Sequence, residues 1–302
     1  MKLRILAQAD CRAALDMAGA IEAQAQAFRL LAQGRSVQGL RSLVASEAPP
    51  GVAIFNPSFL RGGAGYGIKV ISDFYDNDKR GLARMSGLVC LFDGMSGHPQ
   101  AVLEAGHLTD LRTGAGTALA ARYLARANSR VLALIGAGRV ARNQLAALAE
   151  VFALERVFLS TRSNARAERF ISEMAGTGGR IPRDMAPGAF VAAVGAHQPT
   201  TREVDSATVQ RASKRVIDSR ADCLDQAGDF VIPIVEGVIG REQVSELAEV
   251  MTGEKPARER DDEITVYKSI GVPIQDLVTA QAIAQRAAQL GLGTEIDIGG
   301  DG

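Results

Sequence analysis

Cysteine and histidine are scarce in this chain of 302 residues, with three of each. Cys11, Cys90 and Cys223 are odd in number and far apart. They make no zinc or redox pattern and read as free, buried side chains. A reducing cytoplasm is therefore the expected compartment. His98, His107 and His197 show no metal-ligand spacing, so no metal is expected. No sign of charge is in excess, because 34 Lys and Arg balance 34 Asp and Glu. That balance argues against a nucleic acid or a membrane surface as partner. No uncharged apolar run is long enough to span a bilayer. The opening Met1-Lys-Leu-Arg-Ile-Leu-Ala7 has too few apolar residues for a secretory signal. What is present, 47% hydrophobic and 23% charged residues, fits a soluble globular protein with room for two domains.

The most informative stretch is Val131-Leu-Ala-Leu-Ile-Gly-Ala-Gly-Arg-Val-Ala141. An apolar run ends in Gly136-x-Gly138-x-x-Ala141, and an amphipathic segment with Leu145, Leu148 and Phe152 at helical spacing follows. A dinucleotide-binding turn requires this order. Gly136 permits the tight strand-to-helix turn, Gly138 lets a pyrophosphate reach the backbone, and Ala141 lets the helix pack close. The helix N-terminus then faces the phosphates.

Before this unit, residues 13 to 34 read as a helix, with strand-like runs at 52–55, 66–72, 87–93 and 101–104. The last two flank a hairpin loop, Asp93-Gly-Met-Ser-Gly-His-Pro99. An Ala-rich helix is expected over about 110–126, with Thr109 as N-cap. Beyond it, strands are expected at 131–135, 156–160, 189–195, 215–218 and 264–267. Helices are expected through 174, near 242–251 and over 274–290, with a loose tail after Gly291. The fold class is α/β: a Rossmann-type dinucleotide-binding domain, residues 113–272, plus an α+β substrate and dimerisation domain, residues 1–112 with 273–302.

Four cationic residues stand out. The second strand of the dinucleotide unit ends in Ser160-Thr-Arg-Ser163, with no acid to select a ribose 2′-hydroxyl. Hydroxyls plus Arg162 suit a 2′-phosphate, so NADP is favoured over NAD. Lys69 lies in a mostly apolar strand, where a charge is costly unless used or turned to solvent. Arg112, placed in the first turn of the Ala-rich helix, opposes the helix dipole and is best tolerated if an anion is shared there. Arg41 is a third cation, which by pattern alone reads as an ordinary surface residue.

Together these pieces resemble the ornithine cyclodeaminase/mu-crystallin family. The matching stretches are Leu108-Thr-Asp-Leu-Arg-Thr113, Leu134-Ile-Gly-Ala-Gly138, Val194-Gly-Ala-His-Gln-Pro199, Arg202-Glu-Val-Asp205 and Glu263-Ile-Thr-Val-Tyr-Lys-Ser-Ile-Gly271. The resemblance implies a homodimer of two-domain subunits with a nicotinamide cofactor. It implies that Lys69 and Arg112 hold a substrate carboxylate with Arg41 as helper, and that Lys69 helps place a proton near the substrate nitrogen. It also implies cofactor-phosphate contacts from Thr113, Gly136, Gly138, Arg139 and Val140, and 2′-phosphate contacts from Thr161 and Arg162. Val194, Arg220 and Ser269 would line the adenine or nicotinamide ends.

Two departures from the family pattern matter. Cyclodeaminases and alanine dehydrogenases usually carry an aspartate where this chain has His197. An imidazole cannot supply that fixed negative charge, although it can exchange a proton. In addition, residues 175–190 are too few for the usual strand, helix and strand. The expected activity is an NAD(P)H-dependent reductase of a small cyclic imine carboxylate, such as Δ1-pyrroline-2-carboxylate. Lys69, His197 or water is the proton source. The alternatives are an ornithine cyclodeaminase or alanine-type dehydrogenase, and a non-catalytic NADPH-binding protein of the mu-crystallin kind, which the short segment favours.

Overall fold

The structure, a computed structural model, describes residues 1–174 and 186–299. The first half runs β1 (Lys2–Leu6), α1 (Gln8–Ala14), α2 (Met17–Ala32), β2 (Ser36–Gln38), β3 (Ser42–Ser46), β4 (Gly51–Leu60), β5 (Tyr66–Phe74), β6 (Met85–Phe92), β7 (Pro99–Glu104) and α3 (Ala105–Leu124). Next come β8 (Val131–Ile135), α4 (Arg139–Val151), β9 (Arg156–Ser160), α5 (Asn164–Met174), β10 (Phe190–Ala193), α6 (Ser206–Arg211) and β11 (Lys214–Ile217). The chain closes with α7 (Arg220–Gln226), α8 (Gly228–Val235), β12 (Ser245–Glu246), α9 (Leu247–Met251), β13 (Thr265–Lys268), α10 (Pro273–Leu290) and β14 (Thr294–Asp297). Two compact units result: Met1–Arg112 with the chain from Pro273 onward, and Thr113–Val272.

In the first unit the sheet order is β14-β1-β7-β6-β5-β4-β2, with β3 also paired to β4. Along β5 the burial alternates as a strand requires, and Gly67, Lys69 and Ile71 are the buried set. α10 covers that face, packing on β4, β5 and β6 and beside α2. The approach is close because Gly67 has no side chain: a Cβ there would meet the Cys90 carbonyl oxygen at 2.7 Å and Leu277 at 3.1 Å. Buried amides tie the two helices, since Gln24 Nε2 donates to Thr279 Oγ1 (2.8 Å) and Gln275 Nε2 donates to Gln24 Oε1 (2.8 Å).

Four expectations need correction here. The helix expected over 13–34 is two helices, because Asp16 accepts from the Gly19 N–H and starts a new one. The Ala-rich helix begins at Ala105, not beside Thr109. The Glu104 carboxylate accepts the N–H groups of Gly106 and His107 and so caps it five residues earlier. Arg112 therefore sits two turns into α3 rather than in its first turn. Of the helix expected near 242–251 only α9 forms, after a 3-10 turn at Arg241–Gln243. The tail expected to be loose adds a strand, as β14 pairs antiparallel with β1, Lys2 opposite Asp297 through Ile5 opposite Thr294.

Among its described residues the second unit contains two parallel sheets. One has the order β10-β13-β11-β12, and the other is the pair β8-β9. Each has its own apolar core. Leu134, Leu145 and Phe170 pack together with Leu132, Ala141, Val157 and Leu159. Phe230, Ile217, Val266, Val209 and Leu224 belong to the other cluster. Among the described residues β8 pairs only with β9, and β10 only with β13. On β8 the alternate residues Val131 and Ile135, which share one face, are 49% and 86% exposed. Most of the short segment flagged in the sequence, residues 175–185, lies outside the described residues.

Candidate active site

Burying a lysine in a sheet is unfavourable unless an acid meets it, and α10 brings one. Lys69 Nζ lies 2.5 Å from Asp276 Oδ2, and Arg112 Nε lies 2.9 Å from Asp276 Oδ1. The three side chains come from β5, α3 and α10, and each residue is less than a tenth exposed. One carboxylate thus answers two buried cations. Burial pushes the Lys69 ammonium down from 10.5 to about 8; Asp276 opposes that shift, and the charges of Arg112 and Arg41 add to it. Burial alone would raise the Asp276 carboxyl, but Arg112 and Lys69 hold it below the usual carboxylate range. The group carries a net positive charge in a place with little water. A small carboxylate is the chemistry that balances it.

The sequence placed Lys69, Arg112 and Arg41 in one site. The structure joins the first two directly and puts Arg41 near enough for its charge to act on Lys69. Asp276 was missed. An acid in the first turn of a helix reads as an ordinary dipole partner. The available signal was its neighbourhood, since Pro273, Ile274, Leu277 and Val278 surround it and Gln275 is the one other polar residue there.

In the second unit the Gly136–Gly138 turn has the backbone that the fingerprint requires. Gly136 has φ +106°, a region closed to most side chains, and its N–H donates to the Ser160 carbonyl oxygen at 2.7 Å. This bond sets the end of β9, with Thr161 and Arg162, beside the glycine turn. Gly138 is the N-cap of α4 and offers no side-chain cap to the first-turn N–H groups. A Cβ at Gly138 would meet no protein atom within 4 Å. The open backbone in front of an uncapped helix end, followed by Arg139 and Val140, fits a dinucleotide phosphate. Thr113 lies against the same helix, its carbonyl oxygen accepting from Gln144 Nε2 at 3.4 Å. The exposed Arg162 projects where no acid competes in sequence, and Ser163 Oγ accepts from the Arg166 N–H at the start of α5.

Other sequence-derived residues are more occupied. Arg220 donates to both Glu249 oxygens (2.8 and 2.7 Å) and to the Val244 carbonyl oxygen (3.0 Å), which anchors α7 to α9 and β12. Ser269 Oγ donates to Asp218 Oδ2 at 2.7 Å. Val194 and the exposed His197 follow β10, and Ser269 follows β13. They occupy the carboxyl edge of one parallel sheet, the edge at which such sheets bind ligands.

Because Gly138 has an ordinary φ of −89° and open space ahead of it, Gly138→Ala separates folding from binding. Stability is expected to change by less than about 1 kcal/mol. Cofactor affinity is expected to fall about tenfold or more, since the new methyl occupies the phosphate's approach. Thermal unfolding and fluorescence titration with NADPH check the two halves. Equal affinity in the variant would remove the phosphate from this turn.

The family model described as "Ornithine cyclodeaminase/mu-crystallin family" matches residues 1–182 and 183–290. A Delta(1)-pyrroline-2-carboxylate reductase of Bacillus cereus is 30% identical over 322 residues, covering 97% of this chain and 99% of the relative. The Thermococcus litoralis Delta(1)-pyrroline-2-carboxylate reductase, solved with NADH and L-proline, superposes with TM-score 0.90 at 30% identity, over 97% of this chain and 100% of that one. An archaeal alanine dehydrogenase dimer with bound NAD gives TM-score 0.90 at 30% identity, over 99% and 100%. The Bacillus match is longer than the 302 residues present here, so the relative carries residues without a counterpart. The family match itself divides between residues 182 and 183, in the stretch that joins α5 to β10.

Proposed function

The chain belongs to the ornithine cyclodeaminase/mu-crystallin family, and from that premise we propose that it reduces Δ1-pyrroline-2-carboxylate to L-proline with a nicotinamide cofactor. The observation that carries the reading is the buried Lys69–Asp276–Arg112 group. Arg112 and Arg41 attract the substrate carboxylate. Asp276 fixes the Lys69 ammonium in one direction, so that it can hydrogen-bond the carboxylate or hand a proton to the imine nitrogen. Reduction of C=N to CH–NH needs one hydride at carbon and one proton at nitrogen, and protonation makes the carbon the better acceptor. The reduced cofactor, when bound, supplies the hydride. Lys69, with its lowered proton affinity, suits the donor's role better than an ordinary lysine, and it is recharged from solvent after each turnover.

The finer cofactor choice is NADPH over NADH, supported by Thr161 and Arg162 beside the glycine turn. Arg162→Ala is expected to weaken NADPH by about tenfold, from loss of a charge-assisted bond, and to leave NADH unchanged. Parallel titrations check this, and an equal loss for both cofactors would remove the 2′-phosphate argument. A homodimer is proposed as well. On the face of the first unit's sheet opposite to Lys69 and Ile71, Val44 is 57% and Leu88 50% exposed, apolar surface that a partner copy would cover.

The direct test is cofactor consumption with Δ1-pyrroline-2-carboxylate, run beside ornithine with ammonia detection and pyruvate with ammonia. Consumption with the cyclic imine alone supports the reductase. Ammonia release from ornithine without net cofactor loss would favour a cyclodeaminase, a reading that His197 in place of the aspartate weakens. The short stretch of residues 175–190 favours a different second reading, cofactor binding without turnover. That reading predicts NADPH binding with no consumption on any imine.

A further inference from the structure

Two of the motifs that carry the family resemblance, Arg202–Asp205 and Glu263–Gly271, have, apart from Ser269, no part in the site described above. The structure ties them together. Lys268, at the end of β13, is fully buried, and its Nζ lies 2.8 Å from Asp229 Oδ2 and 3.1 Å from Glu203 Oε2. Asp229, also fully buried, accepts the N–H groups of Glu203 (2.7 Å) and Val204 (2.9 Å) with its other oxygen. Glu203 Oε2 accepts the N–H groups of Gly195 (2.7 Å) and Ala196 (3.1 Å). Gly195 permits that approach, since a Cβ there would stand 2.6 Å from Glu203 Oε1. Two carboxylates, both paired to one lysine, thus accept four backbone N–H groups within a stretch of ten residues.

Lys268 and Asp229 are buried while the Glu203 side chain is 38% exposed. Such an ion cluster is weak evidence of stabilisation, because desolvation offsets the attraction, and fixing one backbone arrangement is its better-attested use. The backbone fixed here is the turn that begins at Val194 and carries His197, at the carboxyl edge of the β10-β13-β11-β12 sheet. A second buried carboxylate acts on the same edge. Asp218 Oδ2 accepts from Ser269 Oγ and from the N–H groups of Ile270 (2.9 Å) and Gly271 (2.7 Å), and so sets the loop after β13.

We infer that Lys268, Glu203 and Asp229 are positioning residues that shape the Val194–His197 turn to receive the nicotinamide half of the cofactor. This rests on the proposed function, in which the adenosine half belongs to the β8-β9 side with Thr161 and Arg162. The half of the dinucleotide beyond the pyrophosphate then falls to the other sheet of the same unit. Glu203 is the working end of the device, because among the described residues it alone links the buried lysine to the turn's own N–H groups.

The test uses the full chain with Glu203→Ala and Glu203→Gln, and compares two ligands. One is the intact reduced cofactor; the other is its adenosine fragment, 2′,5′-ADP for NADPH or ADP for NADH. Glu203→Ala is expected to weaken the intact cofactor about 10- to 100-fold, the usual scale for loss of ångström-level positioning, and to leave the fragment unchanged. Glu203→Gln, whose amide oxygen still accepts from Gly195 and Ala196, is expected to recover most of the affinity. A wild-type response to the cofactor in Glu203→Ala would overturn the inference. So would equal losses for cofactor and fragment, the mark of general destabilisation. If the wild-type protein binds neither nicotinamide cofactor, the proposed function fails first, and this inference with it.

Discussion

Lys69→Met is expected to lower kcat for imine reduction by roughly 10²- to 10⁴-fold, the usual worth of a positioned proton donor, while cofactor affinity stays unchanged. Stability should change little. Asp276 keeps Arg112 at 2.9 Å after the substitution, so no buried charge is left unpaired. The pH dependence gives a second signature. A group that works protonated and titrates near 8 makes kcat/KM fall with unit slope above about pH 8. Lys69→Arg keeps the charge across that range, so the falling limb is expected to vanish along with most of the rate. In folding the same lysine acts in the opposite sense to an ordinary ion pair. Its proton affinity is lower folded (about 8) than unfolded (10.5). Its burial therefore costs stability below pH 8, and that cost fades between pH 8 and 10.5. A flat pH–rate profile through pH 9, or a Lys69→Met variant with a wild-type rate, would remove Lys69 from the chemistry.

Asp276→Asn is expected to have the largest effect on stability. It leaves Lys69 and Arg112, both nearly fully buried, with no carboxylate between them. Breaking a buried pair from one side costs about 3–5 kcal/mol, because the remaining charge is uncompensated. For a chain of this size the unfolding midpoint should drop by on the order of 10 °C. The loss has a specific remedy: a carboxylate ligand that binds between the two cations stabilises the variant by mass action. Millimolar L-proline is thus expected to raise the midpoint of Asp276→Asn by more than that of Lys69→Met, which lacks one cation. Chloride at the same ionic strength should do much less. In the wild type, the depressed Asp276 carboxyl contributes stability that is present above the unfolded value near 3.8 and is lost as pH falls through its lower folded value. An Asp276→Asn variant as stable as wild type would show that the two cations are satisfied in some other way.

The parts of this protein that were legible in its sequence are those encoded over short distances. Gly136-x-Gly138 announces its turn because φ +106° and an open helix end are properties of a few adjacent residues. Lys69 stood out because a charge inside a mostly apolar strand is costly, though the sequence left solvent open to it; the structure places it with Gly67 and Ile71 on the buried face. Asp276 did not, since its partner lies on a strand more than two hundred residues earlier and only the docking of α10 unites them. The start of α3 was misplaced for a local reason. Thr109 is a good N-cap by type, but Glu104 already caps the helix one turn sooner and the apolar face of α3 is buried from Ala105 onward. β14 was hidden because a short polar strand at a sheet edge has no periodic signature of its own. Of the Glu203–Lys268–Asp229 cluster the sequence showed only the motifs that hold Glu203 and Lys268, because ion pairs between a loop, a strand and a helix leave no spacing in the chain.

The most direct measurement is the yield of L-proline against cofactor consumed, with purified wild-type protein, Δ1-pyrroline-2-carboxylate and NADPH. One L-proline formed per NADPH oxidised, abolished in Lys69→Met, is the result predicted here. Tight NADPH binding without any proline would contradict it. The buried cation pair would then belong to a protein that holds its ligands without reducing them.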